Sequence, residues 1–213
     1  LESFYTELDR YLKEMKQAGA EATILFIHWC VEYILEENQT QNDMAQKLCD
    51  LGIDVIIGGH PHVVQPVELL TSTENPEHKT VCLYSLGNAV SNQRLGFSDA
   101  IKTPHTEDGI LFTVTFEEYS DGSVYLSEVQ GIPTWVNKHR NENGKDEYNI
   151  LPLDDSCRTS WQEKYDLSDK TVKSCADSFD RTMEIVGAGI AESNEYLAQE
   201  KAEREAYYLS LVS

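Results

Sequence analysis

Apolar residues recur at three- and four-residue steps through Phe4, Leu8, Leu12 and Met15, and the pattern stops at Gly19. That spacing gathers them on one face of a helix over residues 1–18. The period then changes. Residues 23–27 (Thr-Ile-Leu-Phe-Ile) and 53–57 (Ile-Asp-Val-Ile-Ile) are short apolar, β-branched runs, which read as buried strands. Residues 42–51 between them read as a helix with Gly52 as its stop. A strand–helix–strand unit makes the two strands parallel.

Further along, residues 63–70 read as a strand-like extension carrying Pro66 at an edge. Residues 71–79 are a polar turn with a solvated His78, and 81–86 are a third buried strand. Residues 91–105 form a long polar loop. Asp108-Gly109 leads into 110–116, and Asp121-Gly122 turns the chain into 124–129, a hairpin signal. Residues 131–136 read as a further edge strand, and 137–149 as a polar loop. The last third is helical: 167–180 behind Ser168 as N-cap, then 181–211, with an interruption expected near Gly187-Ala188-Gly189. The fold class is therefore α/β with a C-terminal helical segment. The expected division is a domain over 1–136, a linker over 137–157 and a helical segment over 158–213.

The 213 residues carry 37 acidic and 17 basic side chains, a formal net charge of −20. That balance argues against nucleic acid and against an anionic membrane surface as partners. No apolar run is long enough to cross a bilayer as a helix. The chain starts at Leu1 inside a helix–strand unit, so a fragment or a processed chain is expected. Of the five cysteines, Cys49 and Cys82 fall on core positions, where a thiol serves as a small hydrophobe. Cys157 and Cys175 can pair if the protein is exported, and no Cys-x-x-Cys pair suggests a thiolate cluster.

The candidate chemistry lies at the strand ends. Residues 23–27 run into His28-Trp29, and 53–57 run into Gly58-Gly59-His60-Pro61-His62. Ligands of open α/β sheets bind where strands end at their carboxyl side. Taken alone, His60 and His62 also fit a glycine-rich turn with two solvated rings. With His28 ending the neighbouring strand, three imidazoles converge and leave room for water or substrate on a shared ion. Pro61 is expected to hold His60 in extended geometry. Glu32 is expected as a solvated loop carboxylate or as a partner orienting an imidazole. Asn88, after Gly87, is either a turn residue or faces the same edge. Arg94 is the best anion-binding candidate of its loop.

The ordered set His28-Trp29, then Gly58-Gly59-His60-Pro61-His62-Val63-Val64-Gln65-Pro66-Val67-Glu68, then Tyr84-Ser85-Leu86-Gly87-Asn88, resembles the C-terminal half of the CapA family of capsule and poly-γ-glutamate synthesis proteins. The resemblance covers roughly residues 1–136. It implies a calcineurin-like metallophosphatase fold, a β-sandwich flanked by helices with two metal ions at the strand ends. His28 then corresponds to the lone histidine ligand, and His60 and His62 to the paired ones. The implied cofactors are divalent transition metals, Mn, Fe or Zn, two in the complete protein, and the implied activity is metal-dependent hydrolysis of phosphoesters. Two departures stand out. Cys30 takes the place of the family's glycine after His-Trp, and no Gly-Asp dipeptide supplies the bridging aspartate. A missing N-terminal half of the same domain is therefore the expected partner, alongside membrane polymer-synthesis proteins at the cell surface. The alternative function is a non-catalytic scaffold in such an assembly.

Overall fold

The computed structural model describes residues 1–211. Helix α1 (Glu2–Gln17) is followed by β1 (Ile24–His28), α2 (Gln39–Asp50), β2 (Val55–Gly59), β3 (Val67–Thr71) and β4 (Lys79–Leu83). Strands β5 (Asp108–Glu118), β6 (Val124–Arg140) and β7 (Asp146–Pro152) come next, then α3 (Trp161–Tyr165) and α4 (Asp169–Leu211). The architecture is α/β. One sheet has the order β1-β2-β4-β3 and the other β5-β6-β7. Strands β1, β2 and β4 are parallel, with Ile24 opposite Val55 and His28 opposite Gly59, while β3 pairs antiparallel with β4.

The central strands β2 and β4 of the first sheet are buried on both faces. On one side Val55, Ile57, Val67, Val81 and Leu83 meet Ile110, Val129, Val186 and Leu197 from β5, β6 and α4. On the other Ile56, Leu70, Cys82 and Tyr84 meet Ala45, Leu48 and Cys49 of α2, with Tyr5, Leu8 and Leu12 of α1 packed behind. Burial on both faces explains why β2 and β4 read as continuous apolar runs. Helix α2 starts at Gln39, earlier than the pattern suggested. Asn38 caps it by accepting from Gln41 N, and the Gln41 side chain accepts from Asn38 N, a reciprocal capping box.

Several expectations are corrected. Strand β1 is not buried: it lies at the sheet edge and Phe26 is 73% exposed, because the second layer covers β2, β4 and β3 and stops short of it. Residues 131–136 are not an edge strand but the middle of β6, paired on both sides. The expected linker over 137–157 is largely strand: β6 runs to Arg140 and turns into β7, with Lys138 bonded to Asp146 at 2.8 Å. The expected boundary at 136 therefore falls inside a strand. Helix α4 is continuous through Gly187 and Gly189. Gly189 is there because the helix presses on the main chain of Val67, where any Cβ would overlap the carbonyl. His78 is not simply solvated, since its Nε2 lies 3.1 Å from the Ile53 oxygen. Cys157 and Cys175 are both free thiols in the cluster of Trp135, Leu153 and Trp161.

Candidate metal centre

Three hydrogen bonds fix the strand ends before any side chain reaches outward. The indole of Trp29 is buried and donates from Nε1 to the Tyr84 oxygen at 2.8 Å. Trp29 N donates to Gly59 O at 3.1 Å, and Tyr33 N donates to Pro61 O at 2.8 Å. The loops after β1 and β2 are thus tied together. Parallel pairing sets His28 beside Gly59, so the next residue, His60, meets it directly. The His28 and His60 rings stand 4.3 Å apart between centroids, and the His60 and His62 rings 6.2 Å apart.

Those separations suit a shared ion. With metal–nitrogen bonds of about 2.0–2.1 Å, two imidazoles on one ion stand roughly 5 Å apart centre to centre. The two observed spacings bracket that figure. Among the described residues, no group of three or more His, Cys, Asp and Glu side chains closes into a ready-made metal cluster. The three histidines converge without closing such a cluster.

His62 is the best oriented of the three. Its Nδ1 lies 2.9 Å from Oδ1 of Asn88. The amide of Asn88 has only one sensible orientation, because its Nδ2 donates to His62 O at 3.0 Å and to Thr106 O at 2.9 Å. Oδ1 is therefore the acceptor, the imidazole proton sits on Nδ1, and Nε2 presents its lone pair outward. Tyr33 stacks on the ring at 6.0 Å and 25°, and Glu32 Oε1 lies 3.7 Å from Nε2. Asn88 and Glu32 are thus both brought to the histidines. Tyr33 was not singled out from sequence, and no spacing rule would flag it.

The backbone here is strained. His60 has φ 106° and His62 φ 59°, and Cys30 and Tyr33 facing them have φ 81° and 66°. The extended geometry expected at His60 is not adopted. Residues with side chains held in this region cost on the order of 1–3 kcal/mol each and gather at functional sites. Cys30 does not point a lone thiol at the rings. Its Sγ accepts from Asn38 Nδ2 at 3.1 Å, at the cap of α2.

Arg94 belongs elsewhere. Its positive charge acts on Asp146 of the β6–β7 turn, where Lys138 is the larger influence holding that carboxyl below its ordinary value. Its Nε and Nη2 are buried without a hydrogen-bond partner among the described residues. Behind Asn88 stands a group that sequence spacing did not reveal. Asp108, at the start of β5, is 1% exposed and accepts from Ser178 Oγ at 2.6 Å and from Arg181 Nε and Nη2 at 2.6 and 2.7 Å. Burial raises the Asp108 carboxyl above its ordinary value, and Arg181 and Ser178 pull it back.

The sequence profile of the bacterial capsule synthesis protein family PGA_cap matches residues 3–93, the stretch that carries all three histidines and Asn88. Over that stretch the chain is similar to the CapA family. The PGA biosynthesis protein CapA of Bacillus subtilis (strain 168) is 38% identical over 85 residues, 39% of this chain and 20% of that protein. The capsule biosynthesis protein CapA of Bacillus anthracis is 28% identical over 159 residues, 72% of this chain and 34% of that protein. The chain thus aligns with a fifth to about a third of the length of these CapA proteins. The second alignment is long enough to continue beyond the family stretch, so it takes in part of the β5–β7 sheet or the C-terminal helices as well.

Proposed function

We propose that this chain contributes three histidine ligands, His28, His60 and His62, to a metal-dependent phosphoesterase-type site in a protein of capsule or poly-γ-glutamate synthesis. The observation that carries the reading is the Asn88–His62 hydrogen bond. It holds the proton at Nδ1 and leaves Nε2 free, the arrangement in which a second partner orients a metal-binding imidazole. Zinc, manganese or iron suits such nitrogen donors, and two ions are expected in the complete protein. The chemistry that divalent ions supply in such a site is activation of water near neutral pH and neutralisation of phosphoryl charge. This chain's residues orient and shield: Tyr33 covers one face of His62, Trp29 anchors the loop, and Glu32 stands ready to hold a proton near Nε2.

The remaining ligands come from outside the 213 residues, from an N-terminal half of the same domain. Two features support this. Strand β1 has a free edge and a bare face, with Ile24 42% and Phe26 73% exposed. A shallow cavity of about 260 Å³, lined by Phe26, His28, Ile57, Gly59 and Leu86 among others, opens beside His28. A further β-layer there would bury the apolar face and reach the histidines together. The net charge of −20 argues against nucleic acid but is compatible with an anionic substrate at a metal-based site. A polyanion approaches such a surface only where bound cations reverse the local field.

Among the described residues no helix is long and apolar enough to cross a membrane. A cell-surface location, with membrane polymer-synthesis proteins as neighbours, would rest on an anchor outside this chain. The second reading, a scaffold without catalysis, is motivated by the bridging aspartate that these residues do not supply and by the acidic C-terminal helical segment.

Elemental analysis of protein purified without chelator or added metal separates these readings. The expected result is transition metal bound by the wild type and lost in His60→Ala and His62→Ala, with phosphoester hydrolysis by the full-length protein lost in the same variants. Retained hydrolysis in His60→Ala would overturn the enzyme reading, and a metal-free, inactive full-length protein leaves the scaffold.

A further inference from the structure

We infer that Arg181, in the C-terminal helix and well outside the family stretch, is a positioning residue for the His62 imidazole, acting through Asp108 and Asn88. The inference rests on the reading of His62 as a ligand for its purpose, but not for its geometry. Asn88 is held by one short segment at the start of β5. Its Nδ2 donates to Thr106 O at 2.9 Å and its main-chain N donates to Asp108 O at 3.0 Å. The same segment is gripped from the opposite side. The Asp108 carboxylate takes both Nε and Nη2 of Arg181 and the hydroxyl of Ser178, all within 2.7 Å.

The segment has little freedom to slide. Gly87 adopts φ 71°, and a Cβ there would lie 2.6 Å from Asp108 O and 2.8 Å from Val64 Cγ2. Glu107, between the two carbonyls, accepts from the indole of Trp135 at 3.2 Å. A carboxylate that is 1% exposed has no water to turn to if its partner is removed. It moves instead, or takes up a proton, and the residue that moves carries the carbonyl that holds Asn88. The route from guanidinium to imidazole thus consists of one ion pair, one residue of backbone and two hydrogen bonds. Within α4, Ser178 shares this route and the contact of Asn194 does not. Asn194 binds Val129 N and O of β6 at 2.9 and 2.8 Å, far along the sheet.

The test reads the His62 tautomer by long-range proton–nitrogen NMR on the labelled chain, at one pH where imidazoles are neutral. Wild type is expected to hold its proton on Nδ1. In Arg181→Gln the ratio of the two tautomers should shift towards Nε2–H by roughly two- to tenfold, the fold-change of one net hydrogen bond. Ser178→Ala, which removes one contact to Asp108 and keeps the ion pair, should shift it less and in the same direction. Asn194→Ala, which loosens the helix from β6, should leave it unchanged. If Arg181→Gln fails to fold, Ser178→Ala decides. The inference is overturned if the folded variants keep the wild-type ratio, if Asn194→Ala shifts it equally, or if wild type carries its proton on Nε2. Zinc titration of the full-length wild-type protein, with the half that completes the site, runs in parallel. A wild type that binds no zinc sinks the metal reading, and the tautomer shift still decides the role of Arg181.

Discussion

The indole Nε1 of Trp29 and the main-chain oxygen of Tyr84 are 2.8 Å apart, and Gly58 lies directly against the bond that joins them. A Cβ at position 58 would overlap the Tyr84 carbonyl and lie 2.5 Å from the indole nitrogen. Gly58→Ala is therefore expected to break a buried hydrogen bond and to push β2 from β4. The expected loss is about 2–5 kcal/mol, combining overpacking with an unsatisfied buried donor. Chemical denaturation measures it. A loss within about 0.5 kcal/mol, typical of surface positions, would mean that the strands do not approach this closely.

Two glycines of α4 should respond to alanine with opposite sign. Gly189 has its missing Cβ in the Val67 carbonyl, so Gly189→Ala must lift the helix from β3, at a cost of about 1–3 kcal/mol. Gly187 has only the flexible tip of Met183, 3.6 Å away. Gly187→Ala should stabilise by about 0.5–1 kcal/mol, the ordinary gain of alanine over glycine inside a helix. Thermal or urea unfolding of the two variants side by side checks the contrast.

Gln65 is fully buried and joins three segments. Its Oε1 accepts from Gln41 Nε2 at 2.9 Å, and its Nε2 donates to the main-chain oxygens of Ile34 and Glu36 at 3.0 Å. Gln65→Ala should cost about 1–3 kcal/mol, from buried groups left without partners. The larger effect should be local. Amides 31–38, in the loop that carries Glu32 and Tyr33, should exchange with solvent faster than those of α2. Equal protection in variant and wild type would show that other contacts hold that loop.

Stability should fall as the pH drops through the histidine range. Burial is the main cause that holds His105 below its ordinary value; Arg181 adds to it, while Asp108 and Glu184 oppose it. A histidine with a depressed folded pKa binds its proton less readily than in the unfolded chain. The unfolded state then holds more protons, and the stability present above the unfolded value, about 6.5, is lost as the pH falls below it. His105→Gln should flatten the stability profile between about pH 5 and 7. An unchanged slope would assign the acid sensitivity to other groups.

The strand ends were legible because two β-branched runs stop at glycine or histidine, and parallel pairing does the rest. His28, His60 and His62 meet as their positions imply, and Asn88 lies on the same edge. What was not legible has physical causes. Residues 137–149 look like a loop because their side chains are polar, yet Lys138 with Asp146 and His139 with Glu147 pair across the strands and support an exposed ribbon. Gly187 and Gly189 look like a helix break because propensity cannot register a close helix–strand contact. The Asp108–Arg181 pair joins residues 73 positions apart, and no local spacing announces such a contact. The exposure of β1 escaped because an apolar run looks the same whether its second face is covered or bare.

The 43 residues of α4 form a rod of about 65 Å at the usual rise per residue. It leans on β3 through Gly189, on β5 through Arg181 and Lys201, and on β6 through Asn194. Every strand leaves the ribosome before this helix does. The facing apolar surfaces of the two sheets, which share a core with Val186 and Leu197, therefore spend the interval of synthesis without their last wall. Closure depends on contacts between distant parts of the chain, and such contacts are slow to form. A nascent chain stalled before residue 169 should accordingly be the form most in need of a chaperone.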